Sequence, residues 1–321
     1  SDLPASIKRI LELKLLISKT SVKKYSAMIG AACSDDKIRG LLQFYGANRT
    51  GRWAGRIVQV HNLPQNHLPD LDDARNLVRN GDFAMLELLY PNASDVLSQL
   101  IRTALIASPG TTFIVADFSA IEARVIAWLA GERWRQEVFA TTGKIYEASA
   151  SKMFHVPIEE VTKGSTLRQK GKVAELALGY QGGVGALKQM GAAKMGLADD
   201  ELADIVAKWR KASPKIVQFW WDVEAAVKEA ISKRTSVQYK HGIAFQFEAG
   251  MLFIRLPSGR RIAYAKPRLE ENNMGRTSIT YLGVNQTNKS WCRLETYGGK
   301  LVENIVQATA RDCLAESMLK L

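Results

Sequence analysis

Cysteine and histidine are scarce in this sequence, and neither recurs at the short spacings of metal-binding motifs. The three cysteines, Cys33, Cys292 and Cys313, lie far apart and are odd in number. This distribution argues against a disulfide framework and against a cysteine-based zinc site. We expect reduced, mostly buried thiols in a protein of the cytoplasm. The four histidines are scattered, so a histidine-based metal site is not expected either.

Long apolar runs are also lacking. No uninterrupted apolar stretch approaches the ~18 residues of a membrane-spanning helix, and no secretory leader is visible at the N-terminus. Of the residues, 46% are hydrophobic and 24% are charged, which is typical of a soluble globular protein. A chain of 321 residues exceeds what one compact core usually organises, so we expect two or more subdomains.

Acidic residues are outnumbered by basic ones. The sequence has 44 lysines and arginines against 32 aspartates and glutamates, which gives a net charge of +12. A positive field of this size favours a polyanionic partner, and nucleic acid is the commonest one.

The most informative stretch is residues 112–131. The short apolar run Phe113–Ala116 predicts a buried strand that ends at Asp117. Apolar residues at helical spacing follow, and Gly131 predicts the end of that helix. A carboxylate at the end of a strand is well placed to hold a divalent cation. The alternative is that Asp117 is only a turn residue.

A second stretch, residues 164–185, presents basic side chains at regular intervals. Arg168, Lys172 and Leu176 stand four apart and so share one stripe of a helix, which Tyr180 extends by another step. Such a helix could bind a nucleotide lengthwise, with its cations on the phosphates and the tyrosine on the base. The alternative is a solvated basic helix whose Leu176 and Tyr180 pack inward.

Hydrophobic periodicity predicts further elements. Apolar residues at helical spacing predict an amphipathic helix over 6–30, and alternation with a period of two predicts a small basic antiparallel meander over 236–269. The glycine- and arginine-rich segment 39–66 is either a ligand-binding loop or a solvated basic loop. Other predicted helices cover residues 70–90, 95–104, 133–141, 144–154, 197–230 and 301–321.

Together these stretches resemble the motifs of family A DNA polymerases, in the family's order. Asp117-Phe-Ser-Ala-Ile-Glu122-Ala-Arg resembles motif A, and the Arg168-to-Tyr180 stripe resembles motif B, the O helix of the fingers. Further segments resemble family elements, and the version here is most similar to phage and prophage members. These segments are Thr50-Gly51-Arg52 with Asn62-Leu-Pro-Gln65-Asn66, Ile101-Arg102-x-Ala, Ile145-Tyr-Glu-Ala-Ser-Ala-Ser, and Gln307-Ala-Thr-Ala-Arg-Asp312.

The resemblance implies template-directed addition of dNTPs to a primer 3′ end, with two Mg²⁺ ions about 4 Å apart in the complete enzyme. Asp117 would bind both ions, with the Phe118 carbonyl as a further ligand. Arg168 and Lys172 would neutralise the triphosphate, and Lys172 would protonate the departing pyrophosphate. Leu176 and Tyr180 would form the floor beneath the new base pair.

The resemblance also implies the partners. Primer–template DNA and dNTPs would be bound by a cytoplasmic monomer, in a bacterial or phage-infected cell, without a membrane. Arg52 and Gln307 would reach the minor-groove side of the primer terminus. Arg102 and Gln65, in the matching segments, are further candidates for DNA binding.

The implied fold is α+β and predominantly helical, a right-hand polymerase architecture with an antiparallel palm sheet. Residues 1–38 would be part of the thumb, 39–132 the palm, and 296–321 a helix returning to the palm. Residues 133–295 would be the fingers, which contain the O helix, 165–182, and the meander.

The sequence departs from the family pattern at three points. Leu176 replaces the usual aromatic, and Tyr146 replaces the common His. The third departure is that motif C, a His-Asp-Glu turn with a second metal-binding Asp, is not found before Leu321. We therefore expect a truncated polymerase that binds primer–template but extends it poorly. The alternatives are a single-subunit RNA polymerase and a non-catalytic DNA-binding protein on a polymerase fold.

Glu122 has two interpretations, which are compatible. Ser119-x-x-Glu122 matches a helix capping box, worth ~1 kcal/mol. The matching Glu of the family lies against the sugar and excludes a 2′-hydroxyl, which also argues against the RNA polymerase alternative.

Replacement of Glu122 by Ala is therefore expected to admit ribonucleotides, because the side chain that excludes the 2′-hydroxyl is removed. The measurement is the ratio of dNTP to rNTP incorporation in the wild type and the variant. An unchanged ratio would contradict the sugar-gate role.

Overall fold

The computed structural model describes residues 4–17, 22–272 and 275–321. The described part is mostly helical and contains a six-stranded antiparallel sheet, which confirms the predicted α+β class. It divides into two compact units. Unit 1 consists of the described residues up to Ala47 and of Arg52–Asp117, and unit 2 of Asn48–Gly51 and Phe118–Leu321. The predicted subdomain limits, after residues 38, 132 and 295, stay predictions.

Unit 1 is built from short helices around two small clusters of buried side chains. Ala74, Leu86 and Leu100 belong to one cluster, and Val58 and Ile101 to the other. The helices predicted over 70–90 and 95–104 are present. Of the helix predicted over 6–30, residues 18–21 lie outside the described residues, and a separate helix stands on each side. The elements are α1 Ala5–Ile17, α2 Lys23–Ala31, β1 Leu42–Gln43, β2 Ala54–Gly55, α3 Leu71–Asn80, α4 Phe83–Leu89, α5 Ala93–Leu100 and a 3₁₀ turn, Ile101–Ala104.

The predicted buried strand over Phe113–Ala116 is wrong for this structure. The run has no strand assignment, and Ile114 is 93% exposed. A strand is stabilised by hydrogen bonds to a neighbouring strand, and the described strands pair only with one another. The apolar run therefore remains an exposed loop, and Asp117 lies at the end of that loop.

The long segment of unit 2, Phe118–Leu321, begins with the predicted helix after Asp117. Gly131 ends that helix in the left-handed conformation, with φ 75°. The helices predicted over 133–141, 144–154 and 301–321 are present, with small shifts of their ends. The stretch predicted as helical over 197–230 forms two helices that meet at Ser213, and Pro214 is the first residue of the second. The helices are α6 Ile121–Ala130, α7 Arg133–Thr141, α8 Ile145–Phe154, α9 Thr166–Leu178, α10 Val184–Gln189, α11 Leu202–Ala212, α12 Pro214–Lys233 and α13 Gly298–Met318.

The six-stranded sheet is a meander in which each strand pairs with the next. Phe245, Ile254 and Ile262 are cross-strand neighbours on its buried side, and they belong to the same core as α12 and α13. The predicted meander over 236–269 is confirmed and continues further along the chain. The strands are β3 Ser236–Gln238, β4 Ala244–Glu248, β5 Met251–Arg255, β6 Arg261–Glu271, β7 Thr277–Val284 and β8 Trp291–Thr296.

Two smaller expectations can be compared with the described residues. All three cysteines are free thiols, but Cys33 and Cys313 are exposed and Cys292 is half-buried. The expectation of mostly buried thiols is therefore wrong. None of the helices described has both the length and the apolar character that a membrane crossing needs.

A buried ion pair joins three helices of unit 2. Arg135 on α7 donates two hydrogen bonds to the carboxylate of Glu175 on α9, at 2.5 and 2.8 Å. The indole of Trp209 on α11 donates to the same carboxylate at 2.8 Å, and Arg135 also donates to the Ser213 hydroxyl. Both charged side chains are almost fully buried. A buried charge is tolerated when it is paired in this way, so the pair fixes where α9 lies against α7 and α11.

Replacement of Glu175 by Gln is expected to lower the free energy of unfolding by about 3 kcal/mol, because Arg135 would keep its charge in the core without a carboxylate. The matched control is Glu229→Gln, which removes one negative charge from an exposed pair with Lys233 and should cost about 0.5 kcal/mol or less. Urea unfolding followed by tryptophan fluorescence measures both. Equal effects would contradict the role of the buried pair.

Candidate active site

The helix that carries the predicted nucleotide-binding stripe begins at a side-chain cap. The Ser165 hydroxyl accepts a hydrogen bond from the backbone N–H of Arg168 at 3.2 Å, which satisfies one of the unpaired donors of the first turn. Arg168, Lys172 and Leu176 all lie within α9, so the structure places them on one stripe as predicted.

Tyr180 does not continue that stripe. The predicted helix over 165–182 ends at Leu178, and Gln181 has a left-handed backbone with φ 65°. The carbonyl of Gly179 accepts from the indole of Trp220 at 2.9 Å instead of extending the helix. Tyr180 therefore follows α9 in a turn and packs partly against the core.

Arg168 is held by two residues of α8. Its Nε donates to Glu147 Oε1 at 2.6 Å, and its guanidinium lies 5.6 Å from the centre of the Tyr146 ring. The two helices can approach because Gly171 has no side chain. A Cβ at that position would overlap the carbonyl oxygen of Tyr146.

The pair changes the acidity of Glu147. Burial raises the pKa of this carboxyl, but the hydrogen bond and the charge of Arg168 outweigh burial, so the pKa lies below its ordinary value. Nothing in the local sequence indicated this pair, because its members are 21 residues apart on different helices.

Lys172 and Leu176 are available to a ligand. Lys172 is half-buried, and its ammonium makes no hydrogen bond or ion pair with another described residue. Leu176 is 47% exposed, so the alternative in which it packs inward is wrong. By contrast, Lys170 on the same helix is paired with Glu201 at 2.5 Å. The stripe thus presents one held cation, one unpaired cation and one apolar side chain.

The start of α13 is fitted closely against the turn after α9. The backbone N–H of Gly299 donates to Gln181 Oε1 at 2.8 Å. A Cβ on Gly299 would overlap the carbonyl oxygen of Tyr180, so only glycine allows this approach. Further along α13, Gln307 is half-buried and donates to Glu303 Oε1 at 3.2 Å. The two adjacent glycines of Tyr297-Gly-Gly-Lys300 are visible in the sequence, but their contact partners are not.

The predicted capping box at the start of α6 is wrong. The N-cap position is Ala120, in a left-handed conformation with φ 50°, and no side chain caps the helix. Because the chain turns at Ala120, the Ser119 hydroxyl does not serve as the cap. Glu122 lies in the first turn and is half-buried. Its role as a sugar gate stays a prediction.

The predicted metal ligands supply oxygen donors of the kind that Mg²⁺ prefers. Asp117 is exposed and forms no ion pair with another described residue, and Phe118 is 42% exposed. Among the described residues, however, no group of three His, Cys, Asp or Glu side chains could hold a metal ion. One carboxylate and one carbonyl do not make a two-ion site, so the described residues do not complete it.

In unit 1, Arg102 supports the loop that carries Gln65. Its guanidinium donates to the carbonyls of Pro64 at 2.7 Å and Leu63 at 2.9 Å. Gln65 itself is exposed, as is Arg52. The structure thus brings Arg102 and Gln65 together through the backbone of this loop, and Arg102 uses at least two of its donors within the protein.

Comparisons with known proteins identify the family. The sequence model of DNA polymerase family A matches residues 6–249. The chain belongs to DNA polymerase family A. It is 63% identical over 317 residues to the DNA polymerase of Bacillus phage SP02, a match that covers 98% of this chain and 49% of that polymerase. The chain thus spans about half the length of this family A relative.

More distant members match shorter stretches. DNA polymerase I of Rhizobium leguminosarum is 30% identical over 129 residues, which is 40% of this chain and 12% of that protein. Among solved structures, the chain is similar to the POL domain of Pol1 from M. smegmatis in complex with DNA primer-template and dNTP. That match has a TM-score of 0.49 and 19% identity and covers 91% of this chain and 37% of that one.

Replacement of Glu147 by Gln is expected to destabilise the protein by about 1.5 kcal/mol at pH 7, because a charge-assisted hydrogen bond to Arg168 is lost. The pKa of Glu147 is lowered in the fold, so this contribution is complete above the unfolded value of about 4.3. It should fade as the pH falls through the lower folded value.

Urea unfolding at pH 7 and at pH 3 checks this expectation. Asp204→Asn is the matched control, since its pair with Lys208 is exposed and its loss should change little at either pH. The same loss for Glu147→Gln at both pH values would contradict the assignment.

Proposed function

We propose that the chain is the nucleotide-binding part of a template-directed DNA polymerase that adds dNTPs to a primer 3′ end. The observation that carries the proposal is the partly exposed stripe of α9, with Arg168 held and Lys172 unpaired among the described residues, in a member of DNA polymerase family A. The name of the phage relative, DNA polymerase, supports the same activity.

In the proposed reaction, the primer 3′ hydroxyl loses its proton to solvent, its oxygen attacks the α-phosphate of a dNTP, and the bond to pyrophosphate breaks. Arg168 and Lys172 neutralise the triphosphate, and Lys172 donates a proton to the departing pyrophosphate. Divalent cations would supply charge neutralisation at the phosphates, and this chain offers Asp117 and the Phe118 carbonyl toward them.

The remaining predicted residues contact the sugar, the base pair and the DNA. Glu122 excludes the 2′-hydroxyl, while Leu176 and Tyr180 lie beneath the new base pair. The residues proposed to contact primer–template DNA are Arg52, Gln65, Arg102 and Gln307. The net charge of +12 supports DNA as the partner, and binding should weaken steeply as salt rises. We also propose that the protein acts as a monomer in the cytoplasm.

The test uses binding of the next nucleotide, because the described residues offer only one carboxylate toward a metal. A primer that ends in a dideoxynucleotide is annealed to its template and bound to the protein with Mg²⁺ and the next correct dNTP. The correct dNTP is expected to tighten DNA binding about tenfold in the wild type. Lys172→Ala should remove this effect, because the triphosphate loses its unpaired cation.

Lys170→Ala is the matched control, since it removes one positive charge from the same helix but from a residue paired with Glu201. It should retain the effect of the dNTP. Tightening by NTPs in preference to dNTPs would favour the RNA polymerase alternative. DNA binding that no nucleotide changes would contradict the proposal and favour a non-catalytic DNA-binding protein.

A further inference from the structure

The segment Asn48–Gly51 is attached to unit 2, although the residues on both sides of it belong to unit 1. It contains Thr50 and Gly51, which directly precede Arg52 in the Thr-Gly-Arg element. Thr50 and Gly51 are buried, whereas Arg52 is exposed. The contacts that hold this segment therefore fix the position of the backbone that directly precedes Arg52.

Arg49 anchors the segment to the sheet through two aromatic rings. Its guanidinium lies 4.3 Å from the centre of the Tyr264 ring on β6 and 4.6 Å from that of Tyr281 on β7. The two rings are perpendicular to each other, and Arg49 also donates to the carbonyl of Ala263. Tyr264 is fully buried, and its hydroxyl accepts from Asn304 on α13 at 2.9 Å. Cation–π contacts are strongest where the ring is shielded from water in this way.

Two further arginines bind consecutive carbonyls of the segment. Arg260, in the turn before β6, donates to the carbonyl of Thr50 at 2.9 Å. Arg311 on α13 donates to the carbonyl of Gly51 at 3.0 Å.

A single carboxylate orients both arginines. Asp312 Oδ1 accepts from Arg260 Nε at 2.8 Å and from Arg311 Nη1 at 3.2 Å. Its other oxygen accepts from the Ser258 hydroxyl at 2.6 Å. The three charged side chains are between 9% and 20% exposed. Arg260 and Arg311 are therefore preorganised before either binds the segment.

We propose that this arginine clamp (Arg49, Arg260 and Arg311 with Asp312) positions Arg52 for contact with the primer terminus. The sheet over residues 236–296 and α13 then form the scaffold of residues 48–51, which directly precede Arg52. The inference rests on the proposed function. The family match covers residues 6–249, and most of this sheet lies beyond them. A displacement of about 1 Å is enough to weaken a contact that depends on orientation.

Arg260→Ala tests the clamp, with its neighbour Arg261→Ala as the matched control. Arg261 is half exposed, and its ion pair within the described part of the chain is with the exposed Glu248. Hydrogen exchange of the backbone amides over residues 48–56 should be at least tenfold faster in Arg260→Ala. It should be unchanged in Arg261→Ala. Unchanged exchange in Arg260→Ala would overturn the clamp.

The functional part is tested by the affinity for primer–template with a matched 3′ terminus relative to a mismatched one. The ratio should fall by about threefold to tenfold in Arg260→Ala and stay constant in Arg261→Ala. A residue that only stabilised the fold would leave this ratio unchanged. Faster exchange with an unchanged ratio would overturn the positioning of Arg52.

A second variant covers the case in which Arg260→Ala does not fold. Arg49→Lys keeps the charge but removes the planar guanidinium that lies against both tyrosine rings, and the same two measurements then decide. If the wild type itself shows no preference for a matched terminus and no response to dNTPs, the proposed function fails. The exchange result would still establish or overturn the clamp.

Discussion

The buried pair of Arg135 and Glu175 is the contact on which the arrangement of α9 depends. The pair prevents the helix from moving away from α7 and α11, because separation would leave a charge unpaired in the core. Four residues earlier, Gly171 allows the helix to lie directly against the backbone of α8, because it has no side chain. Lys172 lies between these two anchors in sequence. Among the described residues it is therefore an unpaired cation on a fixed backbone, as the proposed binding of a triphosphate requires.

The basic side chains of the chain differ in whether they have a partner inside the protein. Arg102, Arg168, Lys170 and Arg260 are engaged with partners inside the protein. Lys172 makes no such contact among the described residues. A composition-based expectation of a polyanionic partner does not separate these groups. The distinction follows from which helices bring a carboxylate or a carbonyl within reach of each basic side chain.

The spacing of apolar residues along the sequence predicted the elements that form through interactions between residues close in sequence. The helices of both units follow from apolar residues at helical spacing, the end of α6 follows from Gly131, and the meander follows from alternation with a period of two. The predictions that were wrong concern segments whose structure depends on partners distant in sequence. The run Phe113–Ala116 has a strand pattern but no neighbouring strand, and the stripe through Tyr180 is interrupted because Gly179 is bound by a tryptophan of another helix. Of the site residues recognised by motif, Arg168, Lys172 and Leu176 lie on the predicted helix, whereas Tyr180 lies in a turn and Asp117 in a loop. Glu147, Glu175 and the arginine clamp act through tertiary pairs that no spacing shows.

The close contacts at the start of α13 prevent this helix from sliding along its axis. A slip of α13 by one residue in one direction would place the Cβ of Lys300 at the carbonyl of Tyr180, and a slip in the other direction would place the Cβ of Tyr297 at the carbonyl of Trp220, which Gly298 faces. Sliding of this helix along its axis is therefore blocked in both directions. The position of Gln307 along the axis, about two helical turns beyond Gly299, is fixed by the same contacts.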